Sequence, residues 1–172
     1  MTMIDIQNTS KSYGPTKALQ SLTLTVQPGE VLGLLGPNGA GKTTTIHILA
    51  GFLQPDSGSV VIDGVDVVQD PDEARRRIGY IPENVALYPF LSACENLRHF
   101  AALAEIEFSK SEATERLVHA GLASSAIDRR VSTFSKGMRQ KVGIAIANSK
   151  DAKALILDEP ASGLDPHASH EL

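Results

Sequence analysis

The residues able to do chemistry in this chain sit in a few short stretches, and the densest is Gly36-Pro37-Asn38-Gly39-Ala40-Gly41-Lys42-Thr43. Four residues separate its first glycine from Gly-Lys-Thr, which is the spacing of a phosphate-binding loop. A polyphosphate is wrapped by consecutive backbone N–H groups, and side chains would obstruct so close an approach. Gly36, Gly39 and Gly41 remove that obstruction and permit positive φ angles. A helix opening at Lys42 would add free N–H groups and a favourable dipole for an anion. Lys42 is expected to reach the β- and γ-phosphates, and Thr43 to offer its hydroxyl to Mg²⁺. Pro37, Asn38, Ala40 and Thr44 complete the run expected to line the nucleotide. Without its flanking elements the same run is only a glycine-rich turn.

The second half of such a site is an acid at the end of a buried strand, and Leu155-Ile156-Leu157-Asp158-Glu159 supplies a pair. Asp158 is placed to hold Mg²⁺ through water, and Glu159 to polarise the attacking water as a general base. Alone, two acids after an apolar strand read equally as a solvated loop; the phosphate loop gives them a role.

The elements that position these residues follow from periodicity. Residues 3–7 and 22–26 alternate apolar and polar, as half-buried strands do. After the turn signal Pro28-Gly29, the continuous apolar run Val31-Leu32-Gly33-Leu34-Leu35 predicts a strand covered on both faces. Residues 42–50 read as a helix stopped by Gly51. A short strand lies between Gly58 and Gly64. Ser92 with Glu95, and Ser109 with Glu112, have capping-box spacing ahead of helices ending near Leu103 and Gly121. A further helix runs from about Lys136 to Asn148, and residues 154–157 form a second buried strand. The fold class is α/β: a β-rich start, a core spanning roughly residues 1–82 and 150–172, and an inserted helical subdomain over roughly 83–149.

Composition bounds the rest. Hydrophobic residues at 42% and charged residues at 21% match an ordinary globular domain, and 172 residues suffice for one core. The net charge of −4 argues against nucleic acid as a partner, and Arg75-Arg76-Arg77 reads as a solvated helix face. No apolar run approaches the ~20 residues that span a bilayer. The start, MTMIDIQNTSKSYG, lacks the basic and apolar regions of a secretory signal, so a cytoplasmic location is expected. The single cysteine, Cys94, excludes an internal disulfide, and no His or Asn pattern marks it as a catalytic thiol.

Three further segments resemble the ABC ATPase family, and their motifs follow the family order along nearly the whole chain. Phe134-Ser135-Lys136-Gly137-Met138-Arg139-Gln140 resembles the family signature LSGGQRQ, just upstream of the acid-bearing strand. Ser162-Gly163-Leu164-Asp165 resembles the D-loop after the catalytic glutamate. Tyr13, in Lys-Ser-Tyr-Gly, stands where the family places a ring that stacks on adenine, although a lone aromatic is also compatible with packing. The resemblance implies a P-loop ABC cassette with a RecA-like core, an N-terminal antiparallel β part and an inserted α-helical subdomain. It implies an ATPase whose two cassettes, identical or not, sandwich ATP head to tail, with Ser135 and Gly137 of one cassette facing the γ-phosphate held by the other. Ser135 would also simply cap the helix that begins at Lys136. The implied partner is a membrane permease, which places the chain peripherally on the inner face of the cell membrane.

Three departures matter. Lys136 replaces the first signature glycine, Met138 replaces its glutamine, and Glu83 stands where most members have the Q-loop glutamine that contacts Mg²⁺. These variants resemble the bacterial branch serving ABC-2-type permeases. Within it, residues 80–85, 97–100 and 135–140 resemble the ATPases of nitrous-oxide-reductase copper-site maturation. The apolar stretch Leu87 to Leu91 could dock a permease coupling helix or belong to the subdomain core. Members also carry a switch histidine on a further strand beyond the acids. His167 and His170 lie too close to Asp158-Glu159 to fill that role and are expected in an exposed loop. The resemblance therefore implies a chain whose last core strands are missing. The absent strand would lie between the phosphate-loop strand and the acid-bearing strand, leaving an open slot and an unstable isolated chain. The remaining alternatives are a soluble ABC ATPase without a permease, a nucleotide-binding fragment without turnover and, least supported, a P-loop kinase or GTPase.

Overall fold

The computed structural model describes residues 2–150 and 152–159. Ser162–Asp165, His167 and His170 lie outside these. The chain divides into two compact units, Met1–Gly79 and Tyr80–Leu172.

The first unit is built on a four-stranded sheet in the order β2-β1-β3-β4, comprising β1 (Ile4–Tyr13), β2 (Thr16–Val26), β3 (Ser57–Ile62) and β4 (Val65–Asp66). All its pairings are antiparallel. Alternation set one face inward: Ile4, Ile6, Val26, Val60 and Ile62 are buried, while Asp5 and Gln7 pair with each other on the other face. β1 and β2 run further than their alternation predicts, because register shifts after Ile6 and Thr9 interrupt the period without ending the ladder. At this irregularity β3 approaches so closely that a Cβ on Gly58 would come within 2.5 Å of the Gln7 carbonyl oxygen.

The helix α1 (Lys42–Leu49) forms where expected and buries Thr45, Ile46, Ile48 and Leu49. A second helix, α2 (Pro71–Arg77), starts at a cap made by Asp70, whose carboxylate accepts from the Glu73 amide, with proline at the first turn. Its basic end is less solvated than the composition implied. Arg77 bridges Asp63 at 2.6 Å and Glu73 at 2.8 Å, whereas Arg75 and Arg76 lie on the exposed face.

The expected strand over Val31–Leu35 does not form. The segment is irregular, with Val31 97% and Leu35 95% exposed. A strand exists only by virtue of a hydrogen-bonded neighbour, and no described residue pairs with this run. Apolar composition requests burial, but it does not supply the partner.

In the second unit, α3 (Ala93–Leu103), α4 (Lys110–His119) and α5 (Lys136–Ala147) enclose a core of Leu97, Leu117, Ile127, Val131, Phe134 and Val142 among others. Both capping boxes are present: Ser92 with Glu95, and Ser109 with Glu112. The chain leaves α4 through Gly121 at φ 83°. Strand β5 (Ile78–Ile81), which begins at the unit boundary, pairs with β6 (Ala154–Leu157). β6 is less buried than expected: Ile156 is inside, but Leu155 and Leu157 are 43% and 41% exposed. Among the described residues it has a neighbour on one side only.

Candidate functional site

The phosphate-loop residues lie in the first unit. Gly41 is the N-cap of α1 at φ 85°, a conformation that favours glycine. A Cβ there would also come within 2.5 Å of the Ala18 carbonyl oxygen and 2.6 Å of Leu19 Cδ2, so the loop end is seated directly on β2. Lys42 turns back over its own loop, Nζ donating to the carbonyl oxygens of Gly36 at 2.7 Å and Pro37 at 3.0 Å. The Ala40 amide closes a turn onto Pro37, and Thr45 Oγ1 donates to the Gly41 carbonyl. Thr43 is exposed and Thr44 partly so.

The N-terminus of α1 differs from those of the other α-helices. Asp70, Ser92, Ser109 and Ser135 each place a side-chain oxygen on the first turn of their helices, whereas α1 has no side-chain cap. Its first-turn N–H groups, left without a side-chain acceptor, sit beside an ammonium and a glycine-rich backbone. The chemistry of this donor set fits a polyphosphate. Tyr13 closes the same hairpin: it pairs with Thr16 and lies two residues beyond Lys11, the partner of Leu19 on which Gly41 rests. That spacing is about 7 Å along the strand, and the Tyr13 ring is 49% exposed.

The acids lie in the second unit. The Asp158 amide donates to the Ile81 carbonyl at 3.0 Å, and its carboxylate accepts from the Tyr80 hydroxyl at 3.4 Å. Burial, and then the neighbouring Asp158 charge, push the Tyr80 phenol above its ordinary pKa, so it stays a donor. Glu159 is exposed and takes φ 46°. Oxygen donors of the kind Asp158 and Thr43 carry suit Mg²⁺. Tyr80 was not singled out from the sequence; its only signal was an aromatic in the short apolar segment Ile78–Ile81.

Ser135 caps α5, its hydroxyl accepting from the Met138 amide at 3.2 Å. Gly137 sits within that first turn, while Phe134 is buried in the helical core and orients the motif. The two departures Glu83 and Lys136 meet: Lys136 Nζ lies 3.5 Å from Glu83 Oε1. The stretch after Glu83 is divided. Leu87 packs on the helical core, whereas Tyr88 is 49% and Phe90 79% exposed. No described helix is long and apolar enough to cross a membrane.

Comparison with known proteins gives a consistent picture. The ABC transporter family profile matches residues 19–162. The chain is 43% identical over 164 residues to the uncharacterised ABC transporter ATP-binding protein YdbJ of Bacillus subtilis (strain 168), covering 95% of this chain and 53% of that protein. It is 36% identical over 172 residues to the linearmycin resistance ATP-binding protein LnrL of the same organism, covering 99% of this chain and 55% of that one. It therefore spans about half the length of the curated relatives it matches. Among solved structures, the ATP-binding cassette MJ0796, a dimer in a post-hydrolysis state bound to ADP and Pi, aligns with a TM-score of 0.84 at 28% identity. That alignment covers 98% of this chain and 79% of that one.

Proposed function

The chain belongs to the ABC transporter ATP-binding family, and from that premise we propose that it binds and hydrolyses ATP to power a membrane permease. The observation that carries this reading is the uncapped, glycine-led N-terminus of α1, with Lys42 folded over the loop carbonyls of Gly36 and Pro37. The Lys42 ammonium exchanges these carbonyls for phosphate oxygens, and the backbone N–H groups of Gly39 and of Gly41 to Thr44 complete the cradle. Tyr13 offers its ring to the adenine. Thr43 in the first unit and Asp158 in the second each carry an oxygen donor that would suit Mg²⁺, which when bound would neutralise phosphate charge. Glu159 accepts a proton from the attacking water as its oxygen bonds to the γ-phosphorus and the bond to the β-phosphate oxygen breaks, releasing ADP and phosphate.

Ser135 and Gly137 present the start of α5 to ATP held by a second cassette, so nucleotide closes a head-to-tail dimer, most simply a homodimer. The exposed Tyr88 and Phe90 dock an ABC-2-type permease, which holds the chain at the cytoplasmic face of the membrane. The permease sets the cargo.

The direct test compares the wild type with Glu159→Gln. The variant is expected to keep ATP binding while phosphate release falls by about 10²-fold or more. A wild type that binds no ATP, or turnover undiminished in the variant, would overturn the proposal.

A further inference from the structure

The end of the β1–β2 hairpin is held from outside its own ladder. The register of β1 against β2 shifts on both sides of Lys11. Asp56 meets the strand at that point: one carboxylate oxygen accepts from Lys11 Nζ at 2.7 Å, the other from the Ser12 amide at 2.7 Å. The Asp56 amide donates to the Ser10 carbonyl at 2.9 Å, so consecutive residues of β1 are bound to one residue. The Lys11 side chain is only 16% exposed, which shields the pair from full solvent screening. Hydrogen bonds from the Lys11 ammonium, and then from the Ser12 amide, hold the Asp56 carboxyl below its ordinary range.

This clamp holds the seat of the glycine-led loop. Lys11 pairs with Leu19, and Ala18 and Leu19 are what a Cβ on Gly41 would strike, at 2.5 Å and 2.6 Å. Gly41 caps the start of α1, a helix about 12 Å long. Beyond its far end, where the Phe52 and Leu53 amides close onto the His47 carbonyl, the chain runs on to Asp56. α1 is thus fastened to one hairpin before its start and after its end, at β2 through Gly41 and at β1 through Asp56. All of these residues belong to the first unit.

We infer that Asp56 is a positioning residue for the phosphate loop: its carboxylate fixes the Lys11–Ser12 end of β1 and, through the Lys11–Leu19 pairing, the surface on which Gly41 is seated. The inference deepens the reading of the start of α1 as a nucleotide site and rests on it. Asp56 touches no phosphate in this role; it acts through Ala18 and Leu19 on the conformation of the loop. Its contribution is preorganisation, which shows as ligand affinity.

The test measures binding of inorganic tripolyphosphate and of a fluorescent ATP analogue to the full chain, with the thermal midpoint taken without ligand. Tripolyphosphate has no base, so its affinity reports the phosphate loop whatever Tyr13 does. Asp56→Ala removes both side-chain contacts and is expected to weaken tripolyphosphate about tenfold; Lys11→Met removes the ion pair alone and should cost about threefold. Asp56→Asn keeps an acceptor for the Ser12 amide and should fall between wild type and Asp56→Ala. The analogue should weaken by the same factors. Arg77→Met is the control: it breaks the bridges to Asp63 and Glu73 in the same unit, so it should lower the midpoint and leave affinity at the wild-type value. Binding is measured below the lowest midpoint of the series, and if Asp56→Ala does not fold, Asp56→Asn and Lys11→Met decide. Unchanged affinity in these variants, an equal loss in Arg77→Met, or a loss confined to the ATP analogue would overturn the positioning role. A wild type that binds neither ligand would instead overturn the reading of the site, and the positioning role with it.

Discussion

The hydroxyl of Tyr80 donates to the carboxylate of Asp158 across the paired strands β5 and β6, while the Asp158 amide holds the carbonyl of the adjacent Ile81. The acid is thus fixed at backbone and at side chain, which narrows the directions in which its remaining oxygen valence can point. Tyr80→Phe removes one tether and keeps the ring. At 3.4 Å the bond is long, so the stability cost should sit near the lower end of the ~0.5–1.5 kcal/mol typical of one hydrogen bond. Urea unfolding checks this. If Asp158 is a metal residue, the same variant should also weaken Mg²⁺ dependence more than it weakens the fold.

Gly41 is required twice, by its φ of 85° and by the Ala18 carbonyl oxygen that a Cβ would meet at 2.5 Å. Gly41→Ala should therefore displace the loop from β2 and cost about 1–3 kcal/mol. ATP binding should fall together with thermal stability. Gly39, where a Cβ meets nothing within 4 Å, is the control: its φ of 84° still penalises alanine, but without the clash.

Ser135 offers a way to separate capping from nucleotide contact. Ser135→Ala removes the acceptor for the Met138 amide and should cost about 1 kcal/mol. Ser135→Asp keeps an equally good cap, so the thermal midpoint should stay near wild type, while its carboxylate would face phosphate in the proposed dimer. Loss of ATP-driven dimerisation in Ser135→Asp with an unchanged midpoint supports the shared site. Unchanged dimerisation would leave Ser135 a cap alone.

What could be read from the sequence was local. The caps at Ser92, Ser109 and Ser135 were legible because a hydroxyl and the amide it accepts from are three residues apart. The glycine-led start of α1 at Gly41-Lys42 was legible because the residues that form it are consecutive. Helix α2 carried an equally local signal, Asp70-Pro71 followed by Glu73, which would have located it. Val31–Leu35 misled because strand formation depends on a neighbour that no local pattern names. The Glu83–Lys136 pair and the Tyr80–Asp158 bond were hidden because their partners are 53 and 78 positions apart. β1 and β2 were read too short because bulges break period-two alternation while pairing continues.

Acid should loosen the helical unit through its two capping boxes. The Ser92 amide and hydroxyl hold the Glu95 carboxyl below its ordinary value near 4.5, and the Ser109 hydroxyl and amide do the same for Glu112. A carboxylate whose folded pKa is depressed contributes stability above its unfolded pKa and loses it as pH falls through the folded value. Stability should therefore decline from about pH 5 downward. Glutamine retains the reciprocal hydrogen bond without titrating, so Glu95→Gln/Glu112→Gln should show a shallower acid dependence by circular dichroism. An unchanged acid limb would assign the loss to other carboxylates.

The docking surface is testable because Asn96 separates Tyr88's backbone from its ring. Buried Asn96 accepts from the Tyr88 amide at 2.8 Å and donates to its carbonyl at 3.1 Å, anchoring the turn regardless of the side chain. The ring stands half exposed, edge-on to His99 at 4.7 Å and near Phe100 at 5.9 Å. Tyr88→Asp therefore removes an apolar contact without removing the turn's hydrogen bonds, and folding should change by less than about 1 kcal/mol. Co-purification with an ABC-2-type permease should be lost while ATP binding persists. Loss of both would place Tyr88 in the subdomain's packing, whereas Asn96→Ala, which strips the anchor, should impair folding whichever role the ring has.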